Sequence, residues 1–289
     1  MGFLDSRWDT PRAALWMTGT LLSFAVMAIA GRELSHELNT FQVLFWRSMS
    51  GAVIVIALLC VYGWHLAKTK YISRQVARNL FHFGAQYGWF YAIALIPLAK
   101  VFAIEFTAPV WVALLAAMFL GERLNKAKWI AIVLGFAGVL VITRPGLSAI
   151  HHGDLAVLGA AVGYAMVYVI TKSLAADESP LTILFYMVVI QTPLAFGFSI
   201  ADWAWPTGIS WMWVVLVGGS ALTGHYCMTR SFRLAEASVV VPIDFARLPL
   251  IAVVGYFAYQ EEIELWVVVG AALILFGNFI NIRQAARRS

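Results

Sequence analysis

Four charged side chains lie where charge is costly. Arg47, Glu105, Asp244 and Arg247 each fall inside a long apolar run. An ionised group there costs about 2.5–3.5 kcal/mol to place at a bilayer centre, so it is expected to face a protein-lined or wet interior. Arg47 and Glu105 each lie roughly seven residues from the same membrane face, which at about 1.5 Å per residue gives them one depth and lets them pair. Asp244 lies a similar distance from the opposite face, with Arg247 three residues on, deeper along the same helix side. The spacing therefore predicts an outer and an inner charged cluster. A carboxylate in either could take up and release a proton. The alternative is a pair of static contacts that only offset desolvation and fix helix register.

Neutral polar groups surround these charges in the sequence. His82 and Gln86 stand at i and i+4 on one helix face, beside Tyr87. His225 and Tyr226 occupy the matching part of a later run, and a histidine there could titrate near neutral pH. Tyr164 with Tyr168 four residues on, and Gln191, would add ring surface and hydrogen bonds, or simply bond across helices. Trp89 and Trp111 suit either a cavity or a lipid face. Arg230 reads as an anchor reaching for headgroups, and Glu122 and Glu261 as loop or helix-end contacts. His151, His152 and Asp154 lack the spacing of a metal site. The chain has no Walker motif, Gly-rich phosphate loop, nucleophile elbow or His-Glu-x-x-His set, so neither cofactor nor catalytic constellation is expected.

The elements that must position these groups are membrane helices. The 289 residues are 62% hydrophobic and 12% charged, with a mean hydropathy of +0.81. No soluble domain could cover that much apolar surface. Runs of about 20 apolar residues, the length that crosses a hydrocarbon core, fall near 13–31, 41–63, 77–96, 99–120, 128–143, 154–173, 180–201, 209–231, 237–259 and 265–282. The fold class is thus all-α, a polytopic protein of ten spans. Pro109, Pro242 and Pro249 in the fourth and ninth predict local breaks that free backbone carbonyls toward a cavity, or simply packed kinks, the kink being the safer reading. Gly135 with Gly138, and Gly159 with Gly163, predict close helix approach.

The stretch from Pro97 to Ile142 has a weaker echo 139 positions later, where Ile104, Glu105, Phe106, Glu122 and Gly138 meet Ile243, Asp244, Phe245, Glu261 and Gly277. The two carboxylates are counterparts. A shift of 140 likewise aligns Leu15, Gly19, Ala25, Leu44 and Phe45 with Leu155, Gly159, Ala165, Leu184 and Phe185, which argues against a cleaved signal peptide around Ala28-Ile29-Ala30. Five spans per half make the halves, 1–146 and 147–289, enter from opposite sides. Such inverted repeats recur among secondary transporters, with the solute site near the midplane between them. Lys and Arg crowd one side, among them Arg7, Arg12, Lys68, Lys70, Arg74, Arg78, Lys126, Lys128 and Arg283, against Arg32, Lys100 and Arg144 on the other. By the positive-inside rule both termini are cytoplasmic. The same placement explains the net charge of +5 without a nucleic-acid partner. Cys60 and Cys227 fall inside spans, so no disulfide is expected.

Ten spans in two inverted fives, GERL at Gly121 to Leu124 after a run containing FTAPVWVALLA, and GFAGVLVI closing the fifth span resemble the EamA-type transporters of the drug/metabolite transporter superfamily. The likeness covers almost the whole chain, though the second copy reads Gln260-Glu261-Glu262 where the first has Gly121-Glu122-Arg123. The resemblance implies carrier-mediated movement of a small metabolite across a bacterial inner membrane without ATP hydrolysis, commonly export of amino acids and related compounds. Carboxylates, arginines and rings together suit a zwitterion, so export of an amino acid or a derivative is the first expectation. The alternative is uptake of a nucleoside-like or vitamin-like solute, since similar family members include S-adenosylmethionine and riboflavin carriers. An intramembrane enzyme would need a catalytic group of residues on neighbouring spans, and a scaffold would not need matched buried charges. The partners expected are the solute and the bilayer; the oligomeric state is left open.

Overall fold

The computed structural model of the chain describes residues 9–119, 124–146, 149–175, 177–234 and 243–286. Glu122, with most of the GERL motif, and Pro242 lie outside the described residues, as do Arg7 and the chain's last three residues. Eleven α-helices occur among the described residues: α1 (Asp9–Leu34), α2 (Thr40–Tyr62), α3 (Ile72–Leu95), α4 (Leu98–Glu105), α5 (Ala108–Phe119), α6 (Lys126–Thr143), α7 (His152–Ala175), α8 (Pro180–Ser199), α9 (Ser210–Leu234), α10 (Arg247–Tyr259) and α11 (Leu265–Ala286). The helix ends follow local chemistry. Asn39 and Gln42 form a reciprocal capping box on α2, which stops at Gly63, where φ is +104° and a side chain would be strained. Ser179 caps α8 and is followed by Pro180 at the position where a missing N–H costs nothing.

Predicted and observed spans agree to within a few residues except the fourth and the ninth; the fourth is two helices, and the ninth begins in residues outside the described ones. α4 ends at Glu105, Phe106 and Thr107 form a turn, and α5 restarts at Ala108. The ninth span breaks in the same way, since Ile243 and Asp244 are helical, Phe245 and Ala246 turn, and α10 restarts at Arg247. Pro109 and Pro249 stand in the first turn of each restarted helix, where neither can donate to the carbonyl four residues back. The breaks are therefore real interruptions rather than kinks. In the first, the freed carbonyl of Phe106 accepts from Nδ2 of the buried Asn278, 2.7 Å away on α11. That bond is what a freed carbonyl needs inside a membrane, where water cannot replace a lost backbone partner.

Helix pairing follows the repeat. α1 lies along α9, and their counterparts α7 and α3 lie along each other; α2 meets α8 and α6 meets α11. Each half thus embraces helices of the other. Lipid tails are as apolar as leucine, so close packing drives these contacts. A Cβ on Gly138 would meet the carbonyl oxygen of Gly270 at 2.6 Å, and one on Gly277 would meet the Ala131 backbone at 3.2 Å. The first pair maps onto the second under the repeat. Gly135 packs on Val110 and Gly163 on Ala85, whereas Gly159 faces open space and makes no such approach. Large apolar side chains such as Leu15, Val61, Met118 and Phe257 are exposed all around the bundle, as a lipid-facing surface requires.

Among the described residues, seven segments are long and apolar enough to count as spans by hydropathy, α4 and α5 together making one. α10 is apolar but short, and α3 and α9 are too polar to qualify. α3 buries Gln75, Arg78, Asn79, His82 and Gln86 along one side. The polar helix faces inward, where the chemistry is.

Candidate functional site

Arg247 is held by both halves. Its Nη2 lies 3.0 Å from Asp244 Oδ2 and 3.3 Å from Glu105 Oε1, and its side chain is 3% exposed. The second oxygen of Glu105 accepts from the indole N–H of Trp89 at 2.8 Å. Three rings surround the guanidinium, with the centroids of Phe24, Phe102 and Phe106 at 5.3, 5.0 and 5.4 Å, so ring quadrupoles add to the ion pairs. Phe106 and its repeat counterpart Phe245 meet edge-on at 5.2 Å, next to the two breaks. Residues related by the pseudo-twofold therefore touch one another here, which puts this centre on the axis between the halves.

The expected inner pair of Asp244 with Arg247 is present, whereas the expected outer pair of Arg47 with Glu105 is corrected, because Glu105 also turns to Arg247. There is one centre, in which Glu105 and Asp244 share Arg247. The depth count placed each side chain at its Cα, whereas an arginine near mid-span reaches several ångströms toward either face. The broken helices also let the last residue before each break turn toward the other.

Arg47 belongs to a second cluster. It is 2% exposed on α2, and its Nε and Nη2 have no hydrogen-bond partner among the described residues. Arg78, 1% exposed on α3, donates, among the described residues, to the neutral oxygens Thr171 Oγ1 at 2.7 Å and Asn79 Oδ1 at 3.3 Å. Asn79 Oδ1 also accepts from Gln191 Nε2 at 3.0 Å, and the same amide reaches His82 Nδ1 at 3.0 Å. A neutral imidazole has one acceptor nitrogen. With Nδ1 accepting from Gln191, Nε2 carries the proton; Gln86 Nε2 stands 3.1 Å from it, so the Gln86 amide is assigned the exchanged orientation, in which its carbonyl oxygen, otherwise without a partner, accepts from that N–H. His82 meets the His225 ring edge-on at 5.1 Å, and the unpartnered Nδ1 of His225 completes the cluster.

The two clusters are joined. His225 meets Phe24 at 5.2 Å, and Phe24 lies against Arg247. Tyr164 stands 6.0 Å from the His82 ring, and Tyr168 lies one turn further along α7. Arg47, His82, Gln86, Tyr164, Gln191, His225, Glu105, Asp244 and Arg247 thus form one polar axis through the bundle. Two expected residues fall off it. Tyr87 stacks on Phe41 at 4.4 Å in a separate aromatic layer with Tyr91. Tyr226 is 38% exposed and packs edge-on against Trp16, over which Arg230 also sits. A helix turns about 100° per residue, so His225 can face inward while its neighbour faces lipid.

Sequence reading missed Arg78, which it had placed among the loop cations. The signal was present as Gln75, Arg78, Asn79, His82 and Gln86, a polar stripe at three- and four-residue spacing. Trp89 was seen but not tied to Glu105, and Asn278 had no signal beyond being polar in an apolar run. His151 and Asp154 are occupied at the start of α7: the His151 ring accepts from Gly153 N, and Asp154 holds Lys100 at 2.9 Å.

At one end of the bundle, polar bonds cross between the halves. Glu261 accepts from Leu98 N–H at 2.8 Å, at the start of α4, and pairs with Arg32 at 3.0 Å. Tyr259 donates to Glu33, Arg144 pairs with Glu264, and Thr207 donates twice to Glu37. The backbone N–H of Thr207 holds the Glu37 carboxyl below its ordinary range. At the other end the buried Glu178 accepts from Thr69 and Gln75. Glu261 is thus the helix-end contact expected of it.

The EamA-like transporter family model matches the chain twice, over residues 11–144 and 151–283. A riboflavin transporter of Rhizobium johnstonii is 30% identical over 280 residues, covering 95% of this chain and 92% of its own. An S-adenosylmethionine uptake transporter of Rickettsia prowazekii is 24% identical, covering 90% and 88%. A pseudopaline exporter of Pseudomonas aeruginosa is 28% identical, covering 88% and 89%. One solved crystal structure superposes with a TM-score of 0.67 at 20% identity, covering 96% of this chain and 98% of its own, and shows the fold.

Proposed function

The chain belongs to the EamA-like transporter family, and on that premise we propose that it takes up a flat, ring-bearing metabolite of the riboflavin or S-adenosylmethionine kind across the inner membrane by alternating access. It is a multi-pass membrane transporter of small molecules, not an enzyme. The observation that carries the mechanism is Arg247 shared between Glu105 and Asp244, the last helical residues before the two breaks. A charge held by both inverted halves, 1–146 and 147–289, is a natural pivot. When the halves rock, the guanidinium keeps one carboxylate and gives up the other, and the freed carboxylate takes a proton or a polar group of the solute. Both termini are cytoplasmic in this reading, which the Lys and Arg distribution supports.

The preference for a ring-bearing solute over an amino acid rests on the names of the relatives and on the rings of Tyr164, Tyr168, Phe24 and Phe106 around the axis. Export of an amino-acid-derived compound is the second reading, favoured by the pseudopaline exporter. The test is the melting temperature of the purified protein with riboflavin, S-adenosylmethionine and a panel of amino acids, since a ligand that binds only the folded state raises it by mass action. Shifts with the ring-bearing solutes alone support uptake of that class. Shifts with amino acids alone would transfer the assignment to the second reading.

A further inference from the structure

Three arginines lie in the bundle interior, and the two carboxylates near them are both spent on one of them. Arg247 takes Glu105 and Asp244. Arg47 and Arg78 are both buried and have no carboxylate within ion-pairing distance among the described residues. Two nitrogens of Arg47 and one of His225 have no hydrogen-bond partner among the described residues. A buried charge without a partner costs several kcal/mol and is not kept without a use. Asn79, Gln191, His82 and Gln86 bond to one another in an ordered network that holds Arg78 and His82 in place. Such a network positions donors for something that the protein itself does not supply.

We propose that Arg47, Arg78 and His225 form a receiving site for an oxyanion, a carboxylate or a phosphate, one contact layer away from the Arg247 pivot. The chemistry of the donors selects it. A guanidinium with two free N–H directions matches two oxygens of one acidic group, and a neutral histidine can donate to a third contact. The site adds to the transporter reading and rests on it: the ring of a solute lies along Tyr164 and Phe24, and its acidic group sits on Arg47. His225, between Phe24 and His82, links the two positions. A small free oxyanion travelling with the solute would meet the same donors, so the experiment separates the two sources.

The experiment measures binding and melting of the purified full chain, as wild type, Arg47→Met and Arg47→Lys, at constant ionic strength. The probes are riboflavin, flavin mononucleotide, inorganic phosphate and acetate. Wild type is expected to bind flavin mononucleotide about tenfold or more tighter than riboflavin, the yield of charge-assisted hydrogen bonds. Arg47→Met is expected to bring the two within about twofold, and Arg47→Lys to keep part of the preference. If phosphate or acetate alone protects wild type and not Arg47→Met, the oxyanion is a free ion rather than part of the solute. Without any ligand, Arg47→Met is expected to melt higher than wild type, because it removes an unpaired buried charge.

Equal binding of the two flavins together with no effect of phosphate or acetate overturns the site, and so does an Arg47→Met protein that melts lower and keeps the preference. If neither flavin binds, the ring-solute reading fails, and the small-anion and melting measurements still decide the oxyanion site.

Discussion

Arg247, Glu105 and Asp244 are interdependent, so neutralising either carboxylate should leave Arg247 one partner and a folded protein without a working pivot. Glu105→Gln and Asp244→Asn are each expected to express and melt near wild type and to lose transport by at least tenfold, read as solute flux into proteoliposomes. Trp89→Phe removes only one hydrogen bond to Glu105 and should cost less, a few-fold at most. Normal flux in both carboxylate variants would return these residues to a structural role. The three charges were legible in the sequence because ionised groups in apolar runs are rare and costly. Their partners were not, since pairing depends on side-chain reach and on where the backbone breaks. Arg78 shows the complementary error. It lies close enough to a helix end to pass for a loop cation, and only its register with His82 and Gln86 marks it as interior.

At the scale of the element, the two broken helices carry the site. The repeat predicted that Glu105 and Asp244 correspond, and the prolines predicted a disturbance nearby, but a proline alone does not separate a kink from an interruption. Asn278 decides it in the first half by satisfying the carbonyl of Phe106. Asn278→Leu keeps the volume and leaves that carbonyl unpartnered in a dry interior, so it should destabilise by about 1–3 kcal/mol. A thermal melt in detergent checks this, and an unchanged melting temperature would mean that the break is satisfied otherwise. The polarity of α3 and α9 has the same origin as their position. They line the interior, so a hydropathy scan passes over the helices that matter most.

Across the whole molecule, the bonds between the two halves are the ones that the proposed transport cycle would have to break and remake. Glu261 ties the start of α4 to Arg32 on α1 and to the end of α10. Glu261→Gln should loosen that end. In a cysteine-free background carrying Tyr164→Cys, a membrane-impermeant thiol reagent applied from outside should then react faster than with Glu261 present. An unchanged rate would remove Glu261 from any part in closure. The two-repeat helical arrangement was readable from long apolar runs and a displaced echo, because a repeat needs no side-chain geometry. The embrace of α1 by α9 and of α3 by α7 was not, since apolar faces look alike in sequence whether they meet a helix or lipid. The most direct measurement of the central claim is solute counterflow in proteoliposomes preloaded with unlabelled riboflavin or S-adenosylmethionine, comparing wild type with Arg247→Gln. Saturable uptake of label by wild type, abolished in a well-folded Arg247→Gln protein, is the predicted result. Undiminished saturable counterflow in that variant would contradict the shared arginine as the pivot of transport.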